Sequence, residues 1–130
     1  MCAMSSKSVK EVEQDRERAW KNRAKGHPTR WRMLRDCVAV VSLGWMTTFQ
    51  VQMAMRRLWA LKNRTTRDIL EELEMEKAVT QERDDKYPEK GYLWGATPEG
   101  VAFWIRDVSA IPAGIVEAAS TARSVTESEV

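Results

Sequence analysis

The sequence predicts an all-α protein, an extended helical chain with one transmembrane helix and short helical arms on both sides. Residues 37–55 contain no charged side chain, although 31% of the chain is charged. The flanking segments are rich in helix-forming residues. Alternation of polar and apolar residues, which would indicate strands, never extends beyond a few positions. We therefore expect helices as the regular structure.

The first of four segments, residues 1–29, is predicted to be a basic polar helix that ends at a Gly-His-Pro break. Ser8 and Glu11 have the spacing of a capping box at the start of a helix. Gly26 and Pro28 provide the end of that helix. Its apolar stripe is too thin to bury much surface, so we expect the helix in solvent or against a larger partner.

The second segment, residues 30–62, contains the uncharged run. Its nineteen residues, at about 1.5 Å of rise each, match the roughly 30 Å hydrocarbon thickness of a bilayer. Basic residues flank the run on both sides, where long side chains reach lipid headgroups. The candidates for headgroup contact are Arg32, Arg35, Arg56 and Arg57.

Polar side chains dilute the apolar character of this run. An isolated helix of this composition would insert weakly and would gain from hydrogen bonds to neighbouring helices. The candidates for helix–helix contact are Ser42, Gly44, Thr48, Gln50 and Gln52. The same run is also compatible with a buried core helix of a soluble bundle. Its length and flanking charges favour the membrane.

Residues 63–91 are predicted to form a charged helix, either continuous with the preceding helix or separate from it. Nothing in the sequence forbids one helix over residues 30–86. Four glutamates invite a metal or acid–base interpretation, but interleaved basic residues indicate a solvated, ion-paired face instead. These glutamates are Glu71, Glu72, Glu74 and Glu76.

Residues 92–130 are predicted to form a Trp-rich docking segment followed by a frayed tail. Thr97-Pro98-Glu99 has the residue types of a helix start. The docking candidates are Trp94, Phe103 and Trp104. The pattern W-x-x-T-P-E-G-x-x-F-W that contains them resembles short segments in some small phage proteins.

The distribution of charge predicts an orientation for the transmembrane helix. Residues 16–35 contain eight basic residues and residues 56–75 contain five. The side with more Lys and Arg normally faces the cytoplasm or, in a mitochondrion, the matrix. We therefore expect the N-terminal side in that compartment.

No catalytic centre, metal site or cofactor site is expected. His27 is the only histidine, and two sparse cysteines, Cys2 and Cys37, indicate free thiols. The basic stretch before the run also contains tryptophan, a combination seen in nucleic-acid-binding proteins. Because this stretch adjoins the apolar run, lipid or a protein partner is favoured over nucleic acid.

These features predict a non-catalytic accessory subunit that braces its neighbours in a multi-subunit membrane complex. In plan the chain is similar to the supernumerary single-span subunits of mitochondrial respiratory complexes or ATP synthase. That similarity implies other subunits and anionic lipids as partners. It also implies the mitochondrial inner membrane as location, with the N-terminus in the matrix. Two alternatives stay open, a soluble helical interaction protein of phage or cytosolic origin and a basic nucleic-acid-binding module.

Overall fold

The fold is that of a computed structural model of the 130-residue chain. It describes residues 28–83, 85 and 91–125, together with three helical residues, Lys10, Glu11 and Gln14. Most of the helix predicted within residues 1–29 therefore lies outside the described residues. His27 also lies outside them.

Within the described residues, five helices and one antiparallel hairpin share a single hydrophobic core. Most of the helices are short, and each buries one side against the others. In chain order the elements are α1 (Pro28–Ser42), α2 (Thr48–Trp59), α3 (Asn63–Met75), β1 (Val79–Arg83), β2 (Tyr92–Ala96), α4 (Pro98–Gly100, continued by a π-helical turn over Val101–Ile105), a 3-10 turn (Val108–Ala110) and α5 (Ala113–Arg123).

The uncharged run does not form one helix. It is divided between α1 and α2 by a connection of five residues that follows Ser42. The Thr47 hydroxyl accepts the Gln50 N–H at 3.1 Å, and the Thr47 N–H donates to Gln50 Oε1 at 3.0 Å. This reciprocal pair is a capping box, which starts α2 as a new helix. The run therefore folds back on itself, and the prediction of one continuous transmembrane helix is wrong.

No helix in the described part of the chain is long and apolar enough to cross a membrane. The predicted membrane location and the predicted role as a bracing subunit of a mitochondrial membrane complex are therefore wrong. The run is apolar because its own chain covers it. Val38, Val40, Val41, Val51 and Met55 are at most 2% exposed. Burial of such surface stabilises a fold by roughly 25 cal/mol per Å².

The fold is not all-α, because β1 and β2 pair in an antiparallel hairpin in which Gln81 lies opposite Trp94. An isolated bridge adds Met46 on the other side of Trp94, with N–H···O distances of 3.1 and 2.7 Å in the two directions. Each strand has five residues, of which one or two are buried. Alternation over so short a length gives no clear signal in the sequence.

The predicted helix start at Thr97-Pro98-Glu99 is confirmed as the start of α4. Thr97 Oγ1 accepts the Gly100 N–H at 2.9 Å, and Pro98 takes the first helical position. The same hydroxyl donates to the Lys77 carbonyl at 2.7 Å, while the Thr97 N–H donates to the Ala78 carbonyl at 3.0 Å. The cap of α4 is therefore fixed to the residues that link α3 to β1.

α5 closes the fold against α2. Arg57 Nη2 pairs with Glu117 Oε1 at 2.9 Å. Gln50 Nε2 donates to the carbonyl oxygens of Arg123 and Val125 at 3.2 and 3.3 Å. The buried face of α5 consists of one isoleucine and three alanines, namely Ile115, Ala118, Ala119 and Ala122.

Gly100 lies where α4 closely approaches the backbone of Ala78. A Cβ atom added at Gly100 would lie 2.0 Å from the Ala78 carbonyl oxygen. That distance is a steric overlap with backbone, which has no flexible end that moves aside. At Gly114, in the first turn of α5, an added Cβ meets nothing within 4 Å.

We expect Gly100→Ala to lower the free energy of unfolding by about 3 kcal/mol, because α4 must shift away from Ala78. Gly114→Ala is the matched control and should leave stability unchanged or raise it by up to about 1 kcal/mol. Urea denaturation followed by tryptophan fluorescence measures both. Equal losses in the two variants would contradict the close approach.

Cys37 lies in the centre of the core and is 0% exposed. Burial, aided by the negative charge of Asp36, raises the pKa of the Cys37 thiol from its ordinary value of 9.0 to about 12. The folded protein therefore keeps this thiol protonated at pH values where the unfolded chain ionises it. Stability contributed by the neutral thiol is fully present below pH 9 and is lost as the pH rises toward 12.

Between pH 8.5 and 10.5 the stability of the wild type should fall by about 2 kcal/mol relative to a Cys37→Ala variant. The difference between the two proteins removes the contribution of other groups that titrate in this range. Urea denaturation at each pH provides the measurement. A constant difference across the range would show that the thiol titrates alike in both states.

Candidate functional site

α2, the short turn after it and α3 follow one another directly, and residues 48–75 are called the helix–turn–helix unit. Three residues, Ala60-Leu61-Lys62, join the two helices. Ala60 has φ 54° and ψ 34°, and its N–H donates to the Arg56 carbonyl at 2.8 Å. A left-handed residue at this point redirects the chain at the end of a helix. Leu61 then turns into the core, where it is 9% exposed.

Side chains of α2 hold the first residue of α3. Arg56 Nη2 donates to Asn63 Oδ1 at 2.8 Å, and Gln52 Nε2 donates to the Asn63 carbonyl at 3.4 Å. Both bonds are exposed, so each contributes at most about 1 kcal/mol to stability. Their larger effect is to fix the direction in which α3 leaves the turn.

α3 has a buried face and an exposed face, as expected for an amphipathic helix. Its inner side chains are 0% exposed and consist of Thr66, Ile69, Leu70 and Leu73. The outer side chains are polar and exposed, and they are Asn63, Arg64, Arg67, Asp68 and Glu71. The outer face is therefore available to a partner along its whole length.

Charge is divided along α3. Residues 62–67 contain three cations, Lys62, Arg64 and Arg67, whereas residues 68–76 contain five acids and no cation. Cations are unfavourable at the N-terminal end of a helix, which carries partial positive charge. Lys62 supplies no side-chain cap. Within the described residues, no ion pair joins any of these three cations to an acid.

The hairpin follows directly after α3. Lys77 has φ 64°, and the Ala78 N–H donates to the Leu73 carbonyl at 2.9 Å. This bond is that of a Schellman motif, which ends α3 and turns the chain into β1. At the other end of the strands, Arg83 and Tyr92 lie opposite each other and are exposed. The hairpin therefore has exposed side chains at its far end, and in sequence it directly follows the helix–turn–helix unit.

Trp94 attaches the hairpin to the start of α2. It is 4% exposed, and its Nε1 donates to Thr48 Oγ1 at 2.8 Å. Gly95, the residue after Trp94, lies against the Trp45 ring. A Cβ atom added at Gly95 would be 2.5 Å from Trp45 Cζ3. The hairpin is consequently joined to the start of α2 and to the residues just before it, through both backbone and side chains.

Ser42, Gly44, Thr48, Gln50 and Gln52 were predicted to contact helices of neighbouring subunits, and that stays a prediction; their contacts within this chain are as follows. Ser42 Oγ donates to the Ala39 carbonyl at 2.7 Å. Thr48, Gln50 and Gln52 make the intramolecular bonds described above. Gly44 faces the side chain of Arg123, whose Nη1 would be 3.1 Å from an added Cβ. The polar residues of the run thus hold its own chain together.

The predicted headgroup contacts were Arg32, Arg35, Arg56 and Arg57. Arg35 Nε pairs with Asp36 Oδ1 at 3.2 Å. Arg56 and Arg57 make the bonds to Asn63 and Glu117 given above. Arg32 is exposed. The proposed contact with lipid depended on a membrane span, which the described helices do not provide.

The predicted docking residues are Trp94, Phe103 and Trp104. Trp94 and Trp104 are 4% and 1% exposed, so the structure places them in the core rather than on the surface. The ring centroids of Trp31 and Trp104 are 4.5 Å apart, and Phe103 is 5.3 Å from Trp104. This aromatic cluster packs α4 on α1. Phe103 is half-buried at its edge.

Among the described residues, no group of three or more His, Cys, Asp or Glu is arranged to hold a metal ion. Protein partners are seen for Glu72 and Glu74, which belong to the group of glutamates considered above. Glu72 pairs with Arg30, and Glu74 Oε2 accepts from Gln81 Nε2 at 3.0 Å. That the chain has no cofactor and no catalytic activity stays a prediction.

Lys62, Arg64 and Arg67 do not stand out in the sequence. Residues 56–91 carry nine basic and nine acidic residues, which suggests a uniformly mixed surface. The three cations form a group only because α3 starts at Asn63, and no glycine marks the preceding turn. The one available signal is the absence of acids over residues 56–67.

Thr48→Val should lower the free energy of unfolding by about 1–2 kcal/mol, because it leaves the buried Trp94 indole N–H without an acceptor. Thr121→Val is the matched control: it removes only an exposed 3.5 Å hydrogen bond from Arg57 Nη1 and should change stability by less than about 0.5 kcal/mol. Guanidinium denaturation compares the two variants. A Thr48→Val protein as stable as the control would mean that this hydrogen bond does not hold the hairpin.

Comparison with known proteins identifies no relative. No protein-family model, no curated protein and no solved structure matches the chain.

Proposed function

We propose that the chain is a non-catalytic DNA-binding protein that places the N-terminal end of α3 in the major groove of a duplex. The observation that carries the proposal is the exposed group of Lys62, Arg64 and Arg67 at the start of the second helix of a helix–turn–helix unit. In DNA-binding proteins that use two helices joined by a short turn, the second helix enters the major groove, and its N-terminal residues contact the base edges.

The chemistry of these side chains suits DNA. Each guanidinium of Arg64 and Arg67 presents a planar fork of donors that matches a phosphate or the O6 and N7 atoms of guanine. The local helix field opposes cations at this position. Phosphate groups would offset that cost, whereas no acid of the described chain does so.

Other exposed groups are consistent with contact between DNA and the N-terminal end of α3. The N-cap residue Lys62 leaves the first backbone N–H groups of α3 without a side-chain acceptor, and such groups bind phosphate in many complexes. The acidic part of α3 follows after residue 67, so only the N-terminal end of the helix matches a polyanion. Arg83 adds an exposed cation on the hairpin.

The earlier preference for lipid or protein over nucleic acid came from a basic stretch adjoining a membrane helix. With the apolar run buried in the core, that reason no longer applies. We therefore favour the alternative of a basic nucleic-acid-binding module, with α3 as its principal surface instead of the basic stretch before the run, residues 19–35.

Binding to a fluorescein-labelled duplex of mixed sequence tests the proposal by fluorescence polarisation over a series of salt concentrations. The wild-type protein should bind with an affinity that falls steeply as salt rises. Arg64→Gln combined with Arg67→Gln should weaken binding about tenfold or more. It should also reduce the slope of log affinity against log salt concentration by the amount expected for about two phosphate contacts.

Lys77→Gln is the matched control, since it removes one exposed cation just beyond the opposite end of α3. It should change affinity by less than about twofold, because a helix–turn–helix unit contacts DNA with the N-terminal end of its second helix. Absence of salt-dependent binding by the wild type, or an equal loss in both variants, would contradict the proposal.

A further inference from the structure

A second candidate site is a cleft of about 270 Å³ between α1, α4 and α5. None of the residues that line it belongs to α2 or α3, so it is separate from the proposed DNA-binding surface. Its apolar wall includes Trp104, Ile105, Ile111 and Ile115. An apolar cleft with a few polar groups is the usual form of a small-molecule site.

Asp36 is one of the residues that line this cleft, and it carries a carboxylate. The residue is 7% exposed. Oδ2 accepts from Trp59 Nε1 at 2.8 Å, and Oδ1 accepts from Arg35 Nε at 3.2 Å. A carboxylate oxygen accepts up to two hydrogen bonds. Both oxygens of Asp36 therefore retain capacity for a further donor.

The backbone beside the cleft is strained. Arg106 has φ 74° and ψ −56° at the end of the π-helical turn, a conformation that costs a non-glycine residue roughly 1–3 kcal/mol. It leads directly to Asp107, a second carboxylate that lines the cleft and accepts from the Ser109 N–H at 3.0 Å. Strained backbone and π-helical turns both concentrate at ligand sites.

We propose that this cleft binds a small organic monocation with an apolar body, such as an aromatic amidine or amine. The lining charges are two carboxylates and one guanidinium, that of Arg35, so the wall carries a net charge of −1. A cavity of about 150 Å³ accommodates benzene, so the present volume admits a ring with a charged substituent. The cation would bond to Asp36 while the ring packs against Trp104 and Ile111.

Benzamidine is the probe, with neutral benzamide and anionic benzoate as analogues of nearly the same shape. The Trp59 Nε1–H resonance in ¹H–¹⁵N spectra reports directly on the Asp36 carboxylate, which accepts its hydrogen bond. Benzamidine should shift this resonance in a saturable manner. It should also bind about tenfold or more tightly than either analogue, because only the cation makes a charge-assisted bond.

Two variants locate the site. Asp36→Asn removes the charge but keeps the shape, and Ala110→Trp fills the cleft from an exposed lining position. Each should weaken benzamidine binding about tenfold or more. Ala102→Trp, at an exposed position of the same region that does not line the cleft, should bind as the wild type does.

Equal affinity for benzamidine and benzamide would overturn the assignment to a cation. Absence of a saturable shift, or unchanged binding by Ala110→Trp, would overturn the site itself. Because Ala110→Trp leaves Asp36 in place, it tests the site even if Asp36→Asn does not fold. None of these results bears on DNA binding by α3, because the two proposals share no residue.

Discussion

Trp94 lies where three separate parts of the chain meet. Its backbone exchanges hydrogen bonds with Met46, and its strand pairs with β1. Its indole N–H is bonded to Thr48, 46 positions earlier in the chain. The middle of the apolar run is therefore held at the hairpin and does not continue as one helix. α2 begins at this attachment, and the direction of α2 decides where the turn at Ala60 presents α3.

The sequence allowed some helix boundaries to be predicted but concealed others. Thr97-Pro98-Glu99 identifies the start of α4 because each residue has a known role in a cap. The ends of α2 and α3 have Ala60 and Lys77 in left-handed conformations that glycine usually adopts. Without glycine at either position, one long helix was the simpler prediction. The length criterion then assigned it to a membrane, since counting uncharged residues does not distinguish lipid from a protein core.

The candidate surfaces depend still more on tertiary structure. The cations of residues 62–67 are visible in the sequence, but their position at the exposed start of a second helix follows from the turn before Asn63. The cleft is lined by residues as far apart in the sequence as Arg35 and Ile115. Two of the tryptophans predicted to dock a partner, at positions 94 and 104, are core residues. Tryptophan content alone does not separate an interface from an interior.

The bonds between α2 and α5 also have a consequence for synthesis of the protein. Gln50 and Arg57 are joined to residues of α5 and its end that are 60–75 positions later in the chain. At about 5–20 residues per second, a ribosome needs roughly 3–15 s to make the intervening segment. During that interval α5 is not yet present to cover the inner side of α2. Nascent chains therefore expose part of this apolar run until α5 has been made.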